Sequence, residues 1–492
     1  MKKRFLVFVP LVCLSLCALI ALPIWVGKGG EQVEITQTTL EGDPSYAQGL
    51  TVSCHTVWDN HLFWETTFSA QDPAGAKTEL TTYQNEQRAI WYNQQLDLES
   101  AGCNFGISTS EDSRDGVLGD DSPWGREAWD QFLIPAQEFA KEMEPGTTQT
   151  FQVRPADWYD TWPMTITRPY SFEWAAEGMS EEEAEKQFQS FFSIPVPQDL
   201  ILYYTLKMNE NGAVYDLTVS NNPPVEEMQE EITGDAATVQ VAEGDVPQEP
   251  FLISHSLRGE QGWYLVLDNR GAADGYQSAD LSRIRGGNGV ILIPAEQSES
   301  GSDLLYLGEI RTVYPFSEGE SAVSIDQDQA GRLLVYTADE AGNWYLTVLQ
   351  EENAQVLQRL ELGQLGGVSI LAYVEGDGIR LIQAGSERLL LLVEEGEGYR
   401  LESILPVPED MMYQFSDWAQ SNSAAWDGER LAVICPQFSS YETQMLAAVW
   451  QDGKLVYLGS YQNSLGRTTT LSNNSGAVQL DTDRQTFQLE WS

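Results

Sequence analysis

Histidine is nearly missing from this chain: His55, His61 and His255 are the three among 492 residues. So small a supply leaves little room for imidazole chemistry, and no Gly-x-Ser-x-Gly elbow accompanies any of them, which sets aside a Ser-His-Asp hydrolase. Cysteine is also scarce. Cys13 and Cys17 fall in the apolar N-terminal stretch, so Cys54, Cys103 and Cys435 remain, and an odd number permits at most one internal bridge. Cys54 and Cys103 are the expected pair, because Cys435 follows the apolar run Leu431-Ala-Val-Ile434, where a buried free thiol is ordinary. A zinc set of Cys54, His55, His61 and Cys103 is disfavoured: neighbours on a strand point to opposite faces, and no Cys-x-x-Cys or His-x-x-x-His spacing occurs. Basic residues are the third shortage. With 27 Lys plus Arg against 74 Asp plus Glu the formal charge is -47, a field that repels phosphate and excludes nucleic acid as a partner.

What the chain does have is apolar and aromatic mass. Hydrophobic residues make up 42%, charged residues only 21%, and there are 15 Trp and 20 Tyr, so this is a folding sequence rather than a disordered acidic polymer. Its length exceeds one ordinary core. Met-Lys-Lys-Arg opens the chain, and Phe5 to Val26 follow without a charge, long enough for a transmembrane helix at about 1.5 Å per residue across roughly 30 Å of hydrocarbon. No Ala-x-Ala cleavage pattern follows, and Leu16 and Val12 precede the two candidate lipid-bearing cysteines. Lys2, Lys3 and Arg4 favour a cytoplasmic N-terminus, which places the bulk of the chain outside the cell membrane as a single-pass, extracytoplasmic protein. Setting aside Lys2, Lys3, Arg4 and Lys28 from the 27 leaves 23 basic residues there, so that surface favours a basic protein or peptide.

From Phe251 onward a strand pattern recurs. Leu252, Leu292, Leu333, Leu381, Leu431 and Leu480 superpose the copies at steps of 40, 41, 48, 50 and 49 residues. Periods in the forties belong to β-propellers. Second strands are expected at Trp263–Leu267, Leu304–Leu307, Trp344–Leu349, Leu389–Val393 and Met445–Trp450, and third strands at Val356–Leu362, Tyr399–Leu405 and Lys454–Tyr461. The fold class is therefore mainly β: a propeller-like ring of about six to eight blades with an irregular α+β lobe, behind one transmembrane helix. The expected domains are an anchor over 1-28, a lobe over 31-225, an acidic linker over 226-249 and the repeats over 250-492. The last copy is short of strands, and Val33 to Leu40 has nothing local to pair with, so those residues are expected to close the ring by completing the copy that contains Leu480.

Within 41 to 225, hairpins are expected across Val57–Asn60 and across Asn209–Gly212, with helices over Ala128–Met143, broken or kinked at Pro135, and Ala184–Phe192. The segments Leu40-Glu-Gly-Asp43 running into Gly49-Leu-Thr-Val52, His61-Leu-Phe-Trp64 and Phe192-Ser-Ile-Pro-Val-Pro197 resemble features of uncharacterised, membrane-anchored extracytoplasmic proteins of Gram-positive bacteria. The resemblance spans the anchor and roughly residues 33 to 220, while the C-terminal half is similar to propeller proteins in period. It implies no activity and no catalytic residues.

Two segments approach the oxygen spacing of a calcium loop. Glu111, Ser113, Asp115 and Gly116 fit the first positions, but Ser122 stands where a bidentate Glu belongs; Asp326, Asp328 and Gly331 fit, but Ala330 replaces a ligand. No other cofactor is indicated. Asp157-Trp158-Tyr159-Asp160-Thr161-Trp162 is the tightest of the aromatic clusters, and rings beside carboxylates suit an envelope glycan or a basic peptide. The expected function is thus a membrane-tethered binding or scaffold protein without catalytic activity. The alternative is a carbohydrate-active enzyme using Asp and Glu in a propeller mouth.

Overall fold

The computed structural model describes residues 34–58, 62–81, 96–118, 130–167, 172–173, 186, 188–223, 249–270, 277–297, 305–412, 423–438, 443–463 and 487–492. The expected membrane segment and, of the acidic linker expected over 226-249, all but Glu249 lie outside the described residues. Among the described residues no helix is long and apolar enough to cross a membrane.

The chain is mainly β. Among the described residues the first elements are β1 (Ile35–Gly42), β2 (Leu50–Trp58), β3 (Leu62–Ser69) and β4 (Lys77–Thr81). There follow β5 (Asp97–Ser100), β6 (Phe105–Ser108), the helix α1 (Asp130–Ala140), β7 (Thr148–Val153), β8 (Met164–Thr167), β9 (Phe172–Glu173), β10 (Leu202–Met208) and β11 (Val214–Ser220). Next come β12 (Pro250–Phe251), β13 (Ile253–Arg258), β14 (Gly262–Asp268), β15 (Gln277–Ser278), β16 (Gly289–Gln297), β17 (Leu305–Leu307) and β18 (Arg311–Pro315). The remainder is three successive meanders: β19 (Glu320–Gln327), β20 (Leu333–Asp339), β21 (Asn343–Leu349) and β22 (Val356–Gln364); β23 (Ile370–Gly376), β24 (Ile379–Ala384), β25 (Arg388–Glu395) and β26 (Gly398–Pro406); and β27 (Ser423–Trp426), β28 (Arg430–Phe438), β29 (Thr443–Gln451) and β30 (Lys454–Asn463). The chain ends on β31 (Phe487–Trp491).

Two compact units divide these elements: residues 1–88 with 368–492, and residues 89–367. The division runs elsewhere than the expected boundaries near 225 and 250. Long-range pairing is the reason, since the first strands find their partners at the far end of the chain.

In the first unit, three sheets stack face to face. Along β28, β29 and β30, Ala432, Ile434, Ala447, Val449, Tyr457 and Tyr461 turn to one side and pack with Val52, Cys54, Phe68 and Leu489. The alternate residues Leu431, Val433, Cys435, Leu446, Ala448, Trp450 and Leu458 turn to the other and meet Leu381, Leu389, Leu391 and Leu405. A sheet buried on both faces reads as an unbroken apolar run, which is why Leu431 to Cys435 shows no polar alternation.

The closure differs in register from the expectation. The last strand does join the N-terminal segment, but β31 pairs with β2, from Leu50 opposite Trp491 to Cys54 opposite Phe487, in a sheet ordered β31-β2-β3-β4. The strand of Val33 to Leu40 instead forms β1, which pairs with β30 from Ile35 opposite Asn463 to Gly42 opposite Tyr457. Side-chain pattern decides this. Leu50, Val52 and Cys54 give β2 a continuous apolar face that must be stacked, whereas β1 buries only Ile35 and is suited to an edge.

The second unit holds β19–β22 against the meander β13-β14-β16-β18, with Tyr264, Val266, Val290 and Leu292 facing Ala322, Ile325, Leu333, Val335 and Leu349. The opposite face of that meander, with Trp263, Leu265, Leu267, Ile291 and Ile293, packs on the lobe: Leu202, Tyr204, Leu206, Leu217 and Val219 of the β6-β11-β10-β7 sheet, Phe132 and Ala136 of α1, and Phe188 and Phe192. The two expected hairpins are present as β2–β3 and β10–β11, and α1 runs through Pro135. Leu333, Leu381 and Leu431 occupy equivalent second strands, β20, β24 and β28. Leu292 sits instead in the third strand of its meander, because residues 269–288 with β15 lengthen the connection from β14 to β16 and shift the copy by one strand. Leu480 lies outside the described residues.

Cys54 and Cys103 do not pair. Both are buried free thiols, Cys54 in a core of the first unit and Cys103 in that of the second, and core packing rather than a bridge holds each.

Candidate functional site

The segment Asp157 to Trp162 follows β7 through a single 3-10 turn, Pro155–Asp157. Its rings turn inward. Trp162 is 2% exposed and its Nε1 donates to the Ala101 carbonyl at 3.0 Å. Phe132 receives Trp162 edge-on at 5.3 Å between centroids and Tyr159 at 6.2 Å, and Phe139, one heptad along α1, receives Trp158 at 5.8 Å. Asp157 and Asp160 stay exposed, and the Asp160 carbonyl accepts a bond from Arg283 Nη1 at 3.1 Å. The structure therefore brings the five residues singled out by sequence together as a packed aromatic base carrying two solvated carboxylates. The ring contacts expected for a ligand are made with the phenylalanines of α1.

Each calcium-like segment has part of its oxygen set engaged within the chain. Asp326 to Gly331 is the β19–β20 turn, where Asp328 Oδ1 accepts from the Ala330 and Arg332 amides at 3.0 and 2.9 Å and Oδ2 accepts from Arg332 Nε at 2.7 Å. In the other segment, the carbonyls of Glu111 and Ser113 accept from Asn209 Nδ2 at 2.8 and 2.9 Å. Among the described residues no group of three His, Cys, Asp or Glu side chains is placed to hold a metal ion.

Among the described residues the Asp328–Arg332 clamp has two counterparts. Asp268 holds Arg270 at 3.0 Å (Nε) and 2.8 Å (Nη2), and Asp427 holds Arg430 at 2.9 Å (Nε) and 2.8 Å (Nη2) while also accepting turn amides. The spacing, an Asp before a turn and an Arg two to four residues on, is legible in the sequence once the turns are known. Arg359 pairs with Glu320 and Arg380 with Glu375 in the same inward fashion, so these five arginine side chains are only 2% to 33% exposed. Positive charge at these five positions is thus drawn into the sheets, and acidic residues far outnumber the basic ones that remain.

Sequence reasoning missed Arg430. Besides Asp427 it donates through Nη1 to the carbonyls of Tyr46 and Gln48 at 2.9 and 3.1 Å, and its guanidinium lies 4.0 Å from the centroid of Trp491. One side chain thereby ties the N-terminal segment, the C-terminal strand and the β27–β28 hairpin. His255 stands 4.0 Å through Nε2 from Asp268 Oδ2, and burial first, with Arg270 adding to it against the pull of Asp268, keeps its pKa below the ordinary histidine value. That carboxylate is already engaged by Arg270, so the pair is no proton relay. The thiols are inert: burial pushes Cys54 up to about 12 and raises Cys103 and Cys435 as well. Glu249, 9% exposed, accepts the Cys103 amide at 2.5 Å and fixes the entry to β12.

No family model and no curated protein matches this chain. Solved structures resemble it distantly. The N-terminal domain of Nup159 is 9% identical over 52% of this chain and 57% of its own, with a TM-score of 0.21. The periplasmic gluconolactonase of Pseudomonas aeruginosa is 10% identical over 83% and 81%, with a TM-score of 0.23. The dihydro-heme d1 dehydrogenase NirN is 9% identical over 86% and 58%, with a TM-score of 0.24. This chain spans little more than half the length of the Nup159 domain it matches. At such scores the likeness carries no argument about what the chain binds or does.

Proposed function

We propose that this chain is a non-catalytic binding or scaffold protein, tethered to the cell membrane through residues 5 to 26 with its folded bulk outside, which holds a basic protein or peptide by charge complementarity. Its four- and five-stranded sheets are, in this reading, blades of a propeller-like ring. Support for the blades comes from the double-faced burial of the β27–β30 sheet and from the joining of the chain's two ends in β31-β2-β3-β4. Support for the binding role comes from one observation above the rest: five arginines are spent on internal clamps in a chain of net charge -47, so the outward field is left negative.

The test is retention of the full chain, kept in mild detergent, on immobilised polylysine and polyglutamate. Binding to polylysine alone, lost as sodium chloride rises from about 0.05 to about 0.5 M, is the expected result, because the Debye length shrinks over that range. Equal retention on both polymers, or retention that ignores salt, overturns it.

A further inference from the structure

The outer strands of the consecutive meanders are guarded unequally. β22 carries Arg359 and Glu361, and β26 carries Arg400 and Glu402, charges that discourage another chain from pairing at those edges. β30 has only Lys454, at its first position, and is covered by β1. β1 then becomes the edge of that sheet, and from Ile35 to Leu40 it has no charge and no proline to guard it. Thr36, Thr38, Thr39 and Leu40 are exposed, Leu40 at 45%. Among the described residues no strand pairs with the outer side of β1.

Along the chain, the charged residues next to this strand are all acidic. Glu34, Glu41 and Asp43 flank the strand, all exposed, and the bond from the Ser45 amide holds the Asp43 carboxyl below its ordinary value and so ionised. Between Lys28 and Lys77 the sequence contains no Lys or Arg at all.

We infer that the outer edge of β1 is a strand-addition site for an extended basic segment of a partner protein. Backbone bonds to the edge supply the affinity, uncharged threonine side chains leave room for varied sequences, and the flanking carboxylates select lysine or arginine at the ends of the incoming strand. This rests on the acidic-binding reading above and assigns it a place.

The test uses the full chain in mild detergent and a labelled peptide, acetyl-Lys-Thr-Val-Thr-Val-Thr-Lys-amide, followed by fluorescence anisotropy. Two further peptides carry backbone N-methyl groups on alternate residues, one set per strand edge. Strand addition requires that one set abolish binding and the other leave it intact. Replacing Thr36→Lys and Thr38→Lys together, both exposed edge positions, should weaken the parent peptide by about tenfold, the equivalent of one or two net hydrogen bonds, without changing the unfolding midpoint. If both methylated peptides bind as the parent does, the edge is not the site and binding is by charge alone; if the lysine variant binds unchanged, the peptide sits elsewhere on the chain. If polylysine is retained but the peptide does not bind, the edge inference fails and the acidic reading stands. If neither binds, both fail.

Discussion

Replacing Arg430→Met tests whether the seam of the first unit depends on one guanidinium. The side chain is 24% exposed, so its interactions are partly screened, and a methionine keeps most of the aliphatic packing over Trp491. Two groups of contacts are lost: the paired bonds to Asp427, and the bonds at 2.9 and 3.1 Å to the carbonyls of Tyr46 and Gln48. Hydrogen bonds to charged groups contribute about 1.5–3 kcal/mol each when sheltered, and the cation–π contact about 0.5–1 kcal/mol at such a site. Discounting for solvent, the expected loss is about 2–4 kcal/mol, and Arg430→Lys should lose roughly half of that because a point charge cannot serve the carboxylate and both carbonyls. Burial by itself would raise the Asp427 pKa, but the Arg430 and Glu429 amides and the guanidinium hold it below the ordinary 3.8. A carboxyl depressed on folding contributes stability that is complete above its unfolded value and is lost as pH falls through the folded one. The difference between parent and Arg430→Met should therefore shrink below pH 3.8. Urea unfolding at neutral and acid pH, followed by Trp fluorescence, measures both effects. A variant within about 0.5 kcal/mol of the parent at neutral pH, the ordinary scatter of surface substitutions, refutes the seam argument.

Deleting residues 487–492 should destabilise the first unit far more than deleting 31–40, because β31 brings Leu489 and Trp491 into the stacked core while β1 buries only Ile35; thermal unfolding of the two truncations compares them, and equal losses would contradict the assigned register. Gly42→Ala should cost about 1–3 kcal/mol, since Gly42 has φ +76 and a Cβ there would lie 2.0 Å from the Val456 carbonyl oxygen; an unchanged unfolding midpoint would show that β1 is not zipped as described. Cys54, Cys103 and Cys435 should resist alkylation until the chain is unfolded and then react as free thiols, read by peptide mapping; a Cys54–Cys103 linked peptide under non-reducing conditions would overturn the packing given for both. The full chain should remain with membranes after a high-salt wash, and recovery of a soluble chain beginning near Lys28 would dismiss the tether.

Local order was legible in the sequence and long-range order was not. Strands such as Trp263–Leu267, Trp344–Leu349 and Met445–Trp450 announce themselves because β-branched and aromatic runs between Gly, Asp and Asn turns have few other ways to satisfy their backbones. The hairpins follow from the same signal, since partners separated by a short turn meet at little entropic cost. The periodic leucines located β20, β24 and β28 correctly, and failed at β16, where a longer connection shifts the count.

Composition by itself determined that the chain is acidic, folded and poor in imidazole, and the recurring strand pattern that it is mainly β. Tertiary structure alone decided that β31 joins β2 rather than β1, that Cys54 and Cys103 lie in different cores, and that Trp158, Tyr159 and Trp162 pack against α1. Each of these is a contact between segments far apart in sequence or a choice of which way a side chain turns. Such choices are settled by which apolar faces most completely cover one another, a property of the assembled sheets that no single stretch of residues carries.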